Sequence, residues 1–139
     1  MFVIVNAARL RRFLLLAPAA VFIAIAGASL LMPHRMARQL GYELTNIDAL
    51  SEFRAVYVGI WLATAVILII AAFKVHWLLL GDLGALLILG QTFGRILSLV
   101  IDGMPSANIW PFFALETVGG VAILATRPRL QAPDHGRGA

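Results

Sequence analysis

The amino-acid sequence predicts an all-α integral membrane protein, a four-helix bundle with a short interfacial helix in its first outer loop. Of its 139 residues, 61% are hydrophobic and only 13% are charged, and the mean hydropathy is +0.91. Soluble domains are about 45–50% apolar and about 25% charged, so this composition lies outside the soluble range. Four apolar segments of about 17–24 residues are long enough to cross about 30 Å of hydrocarbon. They are Phe13–Met32, Phe53–Phe73, Leu78–Ile101 and Trp110–Thr126. We therefore expect one transmembrane domain over residues 1–128 and a flexible tail over residues 129–139.

The first apolar segment begins behind basic residues and carries no charge from Phe13 to Pro33. A cleaved signal peptide is the alternative, because Ala26-Gly27-Ala28 resembles a cleavage site. The apolar stretch is longer than the core of a typical signal peptide. An uncleaved membrane span is therefore favoured.

A change of pattern after the first span predicts the short interfacial helix. Met32, Met36 and Leu40 recur at a spacing of four on the face opposite the polar residues, and Gly41 provides a helix stop. The second span then follows Asn46, whose side chain can cap a helix.

The distribution of Lys and Arg predicts how the chain is oriented. Cytoplasmic loops of membrane proteins carry an excess of these residues. Most of them fall on the side that holds both chain termini, so we expect both termini in the cytoplasm and the protein in a bacterial inner membrane. The residues counted on that side are Arg9, Arg11, Arg12, Lys74, Arg127, Arg129 and Arg137.

Composition and spacing also exclude several kinds of partner and site. The few basic residues flank the spans, which makes nucleic acid an unattractive partner. The chain has no cysteine, so disulfides, thiolate metal sites and dithiol redox chemistry are excluded. His34 and His76 lie on opposite sides of the predicted membrane, so they cannot share a metal ion, and we expect no metal site.

Polar residues align on the third predicted span. Gln91, Arg95, Ser98 and Asp102 are spaced by four, three and four residues, which places them on one face of a helix. A charge at the bilayer centre costs about 2.5–3.5 kcal/mol, so this face is expected to point into the bundle. The second span carries a similar stripe with Arg54 and Tyr57, and the fourth carries Glu116. Small residues that permit close helix packing accompany these faces: Gly90, Gly94, Gly119 and Gly120.

Arg95 and Glu116 lie at the same predicted depth. Each stands six residues inside the outer end of its span, which is about 9 Å along a helix. Opposite charges at matched depth on consecutive antiparallel helices predict a bidentate ion pair. Arg54 lies nearer the surface and could pair with Asp102, with Glu116 or with a neighbour of Glu52. The sequence leaves these three alternatives open.

Three stretches, in this order within four predicted spans, resemble a bacterial family of small membrane proteins catalogued only as a domain of unknown function. The stretches are Glu52–Gly59, Gly94–Pro105 and Leu115–Gly119. The second, Gly-Arg-x-x-Ser-x-x-x-Asp-Gly-x-Pro, is the most specific. The resemblance covers nearly the whole chain outside the two tails, with a small departure at Val58, where a second glycine is expected.

That family is loosely similar to the DoxX and DoxD group of four-helix membrane proteins, some of which accompany quinone-linked oxidoreductases. The resemblance implies a fold and a set of marked residues, and it brings no established activity. The marked residues are Glu52, Arg54, Tyr57, Arg95, Ser98, Asp102 and Glu116.

The polar cluster admits three interpretations. Its ion pair could serve only to fix the register of the helices, or the cluster could form a cavity that binds a ligand. Catalysis by the carboxylates is the least supported, because no nucleophile–base pair, metal site or nucleotide-binding loop is present. The candidate site consists of Glu52, Arg54, Tyr57, Gln91, Arg95, Ser98, Asp102 and Glu116.

The favoured function is therefore non-catalytic. We expect the outward-facing cluster to bind a small amphiphilic or apolar ligand, such as a lipid, a quinone or a pigment-like molecule, with Trp61 and Phe112 against its apolar body. A variant is an accessory subunit that docks on other membrane subunits through Gly90 and Gly94. The alternative is a proton- or ion-linked transporter in which Glu116 titrates, and four spans would then require a homo-oligomer. The sequence identifies no cofactor.

Overall fold

The computed structural model describes residues 2–74 and 77–128, and in these ranges every regular element is helical. The predicted tail, residues 129–139, and His76 lie outside the described residues. In chain order the elements are α1 (Phe2–Leu31), α2 (Pro33–Gln39), α3 (Ile47–Arg54), a π-helical segment (Ala55–Ile60), α4 (Trp61–Phe73), α5 (Leu78–Ile101), a 3-10 turn (Ala107–Ile109) and α6 (Trp110–Ala125).

Four of the described helical segments are long and apolar enough to cross a membrane, which confirms the predicted all-α membrane bundle. These spans are Ala8–Leu31, Ile47–Phe73, Leu78–Ile101 and Ala107–Ala125. The third has the predicted limits. The second begins at Ile47 and not at Phe53, because the Asn46 side chain accepts a hydrogen bond from the Ala49 backbone N–H at 2.8 Å and starts the helix early.

The predicted short helix in the first loop is present as α2. It starts with a proline at its first position, where no helical hydrogen bond is lost. It ends before Gly41, whose φ of 82° lies in the left-handed region that favours glycine. The loop after it returns the chain to the bundle and places Tyr42 beside the second span.

The four spans form a ring in which α1 packs on α4, α4 on α5, α5 on α6, and α6 back on α1. The core is rich in alanine, so the helices approach closely. Two buried glycines lie directly against apolar side chains of a neighbouring helix: a Cβ atom at Gly84 would stand 2.6 Å from Leu68, and one at Gly120 would stand 2.6 Å from Leu89. The buried core residues are Leu15, Ala19, Phe22, Ala26, Trp61, Ala65, Leu68, Ala71, Ala72, Ala85, Ile88 and Ile123.

The start of the first span lies beside the end of the last one, because Arg11 in α1 contacts Ile123 in α6. Both ends of the described chain are therefore at the same end of the bundle. We call this the Arg11 end. The opposite end, with α2, the Tyr42 loop and the 3-10 turn, is the Arg95 end.

Candidate functional site

An ion pair between α5 and α6 occupies the Arg95 end of the bundle. Arg95 Nε donates to Glu116 Oε2 at 2.7 Å, and Arg95 Nη2 donates to Oε1 at 2.9 Å. This is the bidentate geometry that we predicted from the equal depth of Arg95 and Glu116 in their spans. Glu116 is only 5% exposed, whereas the Arg95 side chain keeps 25% exposure. The carboxylate is thus enclosed by the bundle, and the guanidinium forms the border between the ion pair and the space beside it.

That space is a cavity of about 500 Å³ between the second and third spans. Its volume falls in the range of about 300–1,000 Å³ that is typical of small-molecule sites. Most of its wall is apolar or aromatic, and a few polar side chains interrupt it. It is lined by Tyr42, Val56, Tyr57, Ile60, Trp61, Thr64, Leu87, Gln91, Gly94, Arg95, Ser98, Leu99, Pro105 and Ile109.

One wall of the cavity is a column of aromatic rings along the second span. The Phe53 and Tyr57 rings stack with centroids 4.5 Å apart, and the Tyr57 and Trp61 centroids are 5.2 Å apart. The Tyr57 hydroxyl donates to the Tyr42 hydroxyl at 3.2 Å, which ties the first loop to this wall. Tyr57 lies in the π-helical segment, a wide turn that often occurs at functional sites and that the sequence did not predict.

The structure brings half of the predicted site residues to this cavity. Tyr57, Gln91, Arg95 and Ser98 line it directly. Glu116 stands behind Arg95, outside the wall, and holds the guanidinium in place. We expected the polar face of the third span to point into the bundle, and this expectation therefore applies to Gln91 and Arg95.

Three other predicted residues lie outside the cavity. Glu52 lines a neighbouring smaller cavity of about 290 Å³, which shares Tyr42 and Tyr57 with the main one. Asp102 is exposed at the end of α5, where it accepts a hydrogen bond from the Ser98 hydroxyl at 2.9 Å. Arg54 is exposed as well.

None of the three alternatives for Arg54 is correct within residues 2–74 and 77–128. It forms no ion pair there, because Arg95 already holds Glu116 and the side chain of Asp102 pairs with Ser98. The structure does not bring Phe112, which we expected against the apolar body of a ligand, to this cavity. Phe112 does not line it, and its ring lies 6.0 Å from the Arg95 guanidinium carbon instead.

The four glycines predicted to pack helices divide into two groups. Gly120 is a close contact, as its neighbour Leu89 leaves no room for a side chain. A Cβ atom at Gly90, Gly94 or Gly119 would meet no atom within 4 Å, so these three do not pack helices together within this chain. Gly94 instead lines the cavity and contributes to its open space.

The Arg11 end holds polar contacts that the sequence did not predict. Arg11 is 2% exposed, and its Nη1 donates to the backbone carbonyl of Ile123 at 2.9 Å. The next residue, Arg12, donates from Nε to the carbonyl of Ala72 at 3.2 Å. Both carbonyls belong to the last turn of a helix, where backbone acceptors lack partners and positive charge is favourable. Consecutive arginines of α1 therefore hold the ends of α4 and α6.

Room for the Arg11 side chain comes from Gly81. A Cβ atom there would stand 2.5 Å from Arg11 Nη2. Beside it, Asp82 Oδ2 accepts from Arg127 Nη2 at 2.9 Å and joins α5 to the chain after α6. The sequence predicts only an interfacial charge at the start of the third span for Asp82 and no role for Gly81, because only the fold shows that Gly81 faces Arg11 and that Asp82 faces Arg127.

Among the described residues, no three His, Asp or Glu side chains lie close enough together to hold a metal ion. The groups on the cavity wall offer hydrogen bonds and aromatic surface.

Comparisons with known proteins place the chain in a family without assigning it an activity. No curated protein and no solved structure matches it. The likeness to the DoxX and DoxD group therefore stays a prediction. Residues 10–126 match the model of a family described as a domain of unknown function (DUF4345), and the chain belongs to that family.

Proposed function

We propose that this membrane protein binds a small amphiphilic or apolar molecule, such as a lipid, a quinone or a pigment-like compound, without catalysing a reaction on it. The observation that carries the proposal is the 500 Å³ cavity beside Arg95. An apolar wall with a few polar groups at one place is the usual construction of a small-molecule site. An ion pair that served only to fix helix register would not need an open space at its side.

The test fills the cavity without touching the ion pair. Gly94→Leu introduces a side chain where Gly94 lines the cavity and where no neighbouring atom lies within 4 Å. Gly90→Leu is the matched control, since Gly90 is one helical turn away, equally unobstructed, and outside the cavity wall. Both changes replace a glycine by a better helix former, so their effects on helix stability are similar.

We expect native mass spectrometry of protein extracted from its own membrane to detect a bound small molecule. That molecule should be lost in Gly94→Leu and retained in Gly90→Leu. A molecule retained by both variants, or absent from the wild-type protein, would contradict the proposal.

An accessory subunit is the second candidate, and the exposed face at Gly90 supports it. This glycine makes no close contact in its own chain, so a helix of another membrane subunit or of a second copy could approach there. The same pair of variants separates the two functions. Loss of a larger native assembly in Gly90→Leu, with the small molecule unchanged, would favour the accessory role.

A proton- or ion-linked transporter is less well supported. Both Glu116 oxygens accept hydrogen bonds from Arg95, and Glu116 does not line the cavity. Uptake into vesicles that is driven by a pH gradient and abolished by Glu116→Gln would favour transport over binding.

We also propose that the Arg11 end faces the cytoplasm of a bacterial cell and that the protein lies in the inner membrane. The support is the positive charge at that end, where Arg9, Arg12, Lys74 and Arg127 are exposed. Because the chain has no cysteine, single cysteines report the orientation directly. A membrane-impermeant maleimide should label Thr45→Cys in intact spheroplasts and Pro128→Cys only after lysis; the reverse would contradict the orientation.

A further inference from the structure

The groups on the cavity wall restrict the head group that a ligand can carry. We infer that the ligand is an uncharged amphiphile whose head accepts hydrogen bonds, as a ketone or ester carbonyl does, and that it enters sideways from the membrane. The inference rests on the proposed function and names the chemical class of its ligand.

The charge of Arg95 is already balanced. Two of its nitrogens bind the two oxygens of Glu116 at 2.7 and 2.9 Å. An anionic ligand would bring a second negative charge beside that carboxylate, or would displace it and leave Glu116, at 5% exposure, unpaired inside the bundle. A cationic ligand would meet the guanidinium, because Glu116 is not on the wall. An uncharged head avoids both penalties.

The Thr64 and Ser98 hydroxyls on the wall already donate to other groups, whereas three other wall residues keep a donor with no acceptor among the described residues. Arg95 lines the cavity, and its Nη1 makes no hydrogen bond to residues 2–74 or 77–128. The Tyr57 hydroxyl donates to Tyr42, which leaves the hydrogen of the Tyr42 hydroxyl for another acceptor. Gln91 lines the same wall one turn along the helix and offers an amide N–H₂. A head with an acceptor oxygen satisfies these groups, whereas a pure hydrocarbon does not.

The cavity is open between the second and third spans, on the outer surface of the bundle. Val56 and Ile60 line it and are 40% and 53% exposed, and Gly94 is exposed on the facing helix. These residues belong to membrane-crossing segments, so the opening faces lipid. The apolar wall continues along the helices from Arg95 to Leu87, away from the Arg95 end. A ligand would therefore lie like a lipid, with its head near Arg95 and its chain toward the bundle centre.

The experiment compares probes that differ only in the head group. Full-length protein in nanodiscs is incubated with radiolabelled 2-dodecanone, with dodecanoate in a buffer alkaline enough to keep it ionised, and with dodecane. Retention is measured against empty nanodiscs. We expect the ketone to be retained at least about tenfold better than either other probe. Dodecane would leave the donors on the wall without an acceptor, and dodecanoate would bring a negative charge beside Glu116. Gly94→Leu should abolish the difference and Gly90→Leu should preserve it.

The outcomes separate the head-group inference from the proposed function. Equal or stronger retention of dodecanoate or dodecane would overturn the inference while leaving the cavity as a binding site. Retention of no probe would also overturn it, and the proposed function would still be judged by the molecule that the protein carries from its own membrane. Specific retention that Gly94→Leu does not reduce would place binding elsewhere and defeat both.

Discussion

Each end of the bundle contains an arginine inside a membrane-spanning segment, and the surroundings of the two arginines differ. At the Arg95 end the guanidinium binds a carboxylate from the next helix and borders an open cavity. At the Arg11 end the guanidinium fills a space left by Gly81, where it binds a backbone carbonyl. One arginine is therefore paired and accessible, and the other is enclosed by the protein.

This difference supports the proposal that a ligand binds at the Arg95 end and not at the Arg11 end. A closed, fully packed arginine stabilises helix ends and leaves nothing for a second molecule to contact. An arginine that lines a cavity, and whose charge is balanced by a carboxylate outside the wall, suits the proposed contact with a hydrogen-bond acceptor. The same residue type thus has a structural role at one end and a proposed binding role at the other.

The largest effect is expected for Arg95→Met. The change strands the carboxylate of Glu116, which the bundle encloses, and we expect a loss of about 3 kcal/mol in the free energy of unfolding. This is the lower end of the range for breaking a buried pair, because the Arg95 side chain is 25% exposed. Reversible unfolding in mixed micelles measures it.

The control for this prediction removes both charges. In Arg95→Met combined with Glu116→Met, no charge is left unpaired, so most of the lost stability should return. A double variant as unstable as the single one would mean that the packing of the arginine, and not its ion pair, stabilises this end.

A smaller effect is expected when a methyl group is added to a glycine at each end. Gly81→Ala places a Cβ atom 2.5 Å from Arg11 Nη2 and should cost about 1 kcal/mol relative to Gly94→Ala, which meets no atom within 4 Å. This is the lower end of the range for overpacking, because the atom that must move is the end of a side chain. Both variants gain the same helix propensity, so their difference reports packing alone. The same unfolding assay measures it.

A double variant of Gly81 and Arg11 tests whether the guanidinium causes the lost stability. If the clash is with the guanidinium, Gly81→Ala should cost little in a chain that also carries Arg11→Ala. Equal stability of Gly81→Ala and Gly94→Ala in the wild-type background would show instead that the Arg11 end adapts easily and is not closely packed.

The difference between the ends also explains what the sequence could predict. Length and hydropathy predict the four spans, and the third has its predicted limits, Leu78–Ile101, because apolar composition and helix coincide there. The Arg95–Glu116 pair was predictable because both partners are side chains of opposite charge at countable depths. Such a signal is carried entirely by residue types and spacing.

The Arg11 site lacked such a signal. Its acceptor is the backbone carbonyl of Ile123, which any residue would supply, and the space comes from Gly81, one of 12 glycines in the chain. Arg11 therefore looked like one more basic residue on the cytoplasmic flank. The role of Gly94 was equally hidden, because an exposed glycine and a closely packed one look the same in a sequence. Only the positions of neighbouring helices distinguish them.

The smallest effect is expected for Arg11→Met, and it gives the sharpest contrast with Arg95→Met. Methionine keeps an apolar stem of similar length in the space beside Gly81, and no opposite charge is stranded. The carbonyl of Ile123 still accepts from the Thr126 hydroxyl at 3.2 Å. We therefore expect a change within about 1 kcal/mol, close to that of the exposed control Arg9→Met, in the same unfolding assay. A loss as large as that of Arg95→Met would mean that the bond from an arginine to a helix end stabilises this bundle as much as an ion pair does, and the assignment of distinct roles to the two ends would then fail.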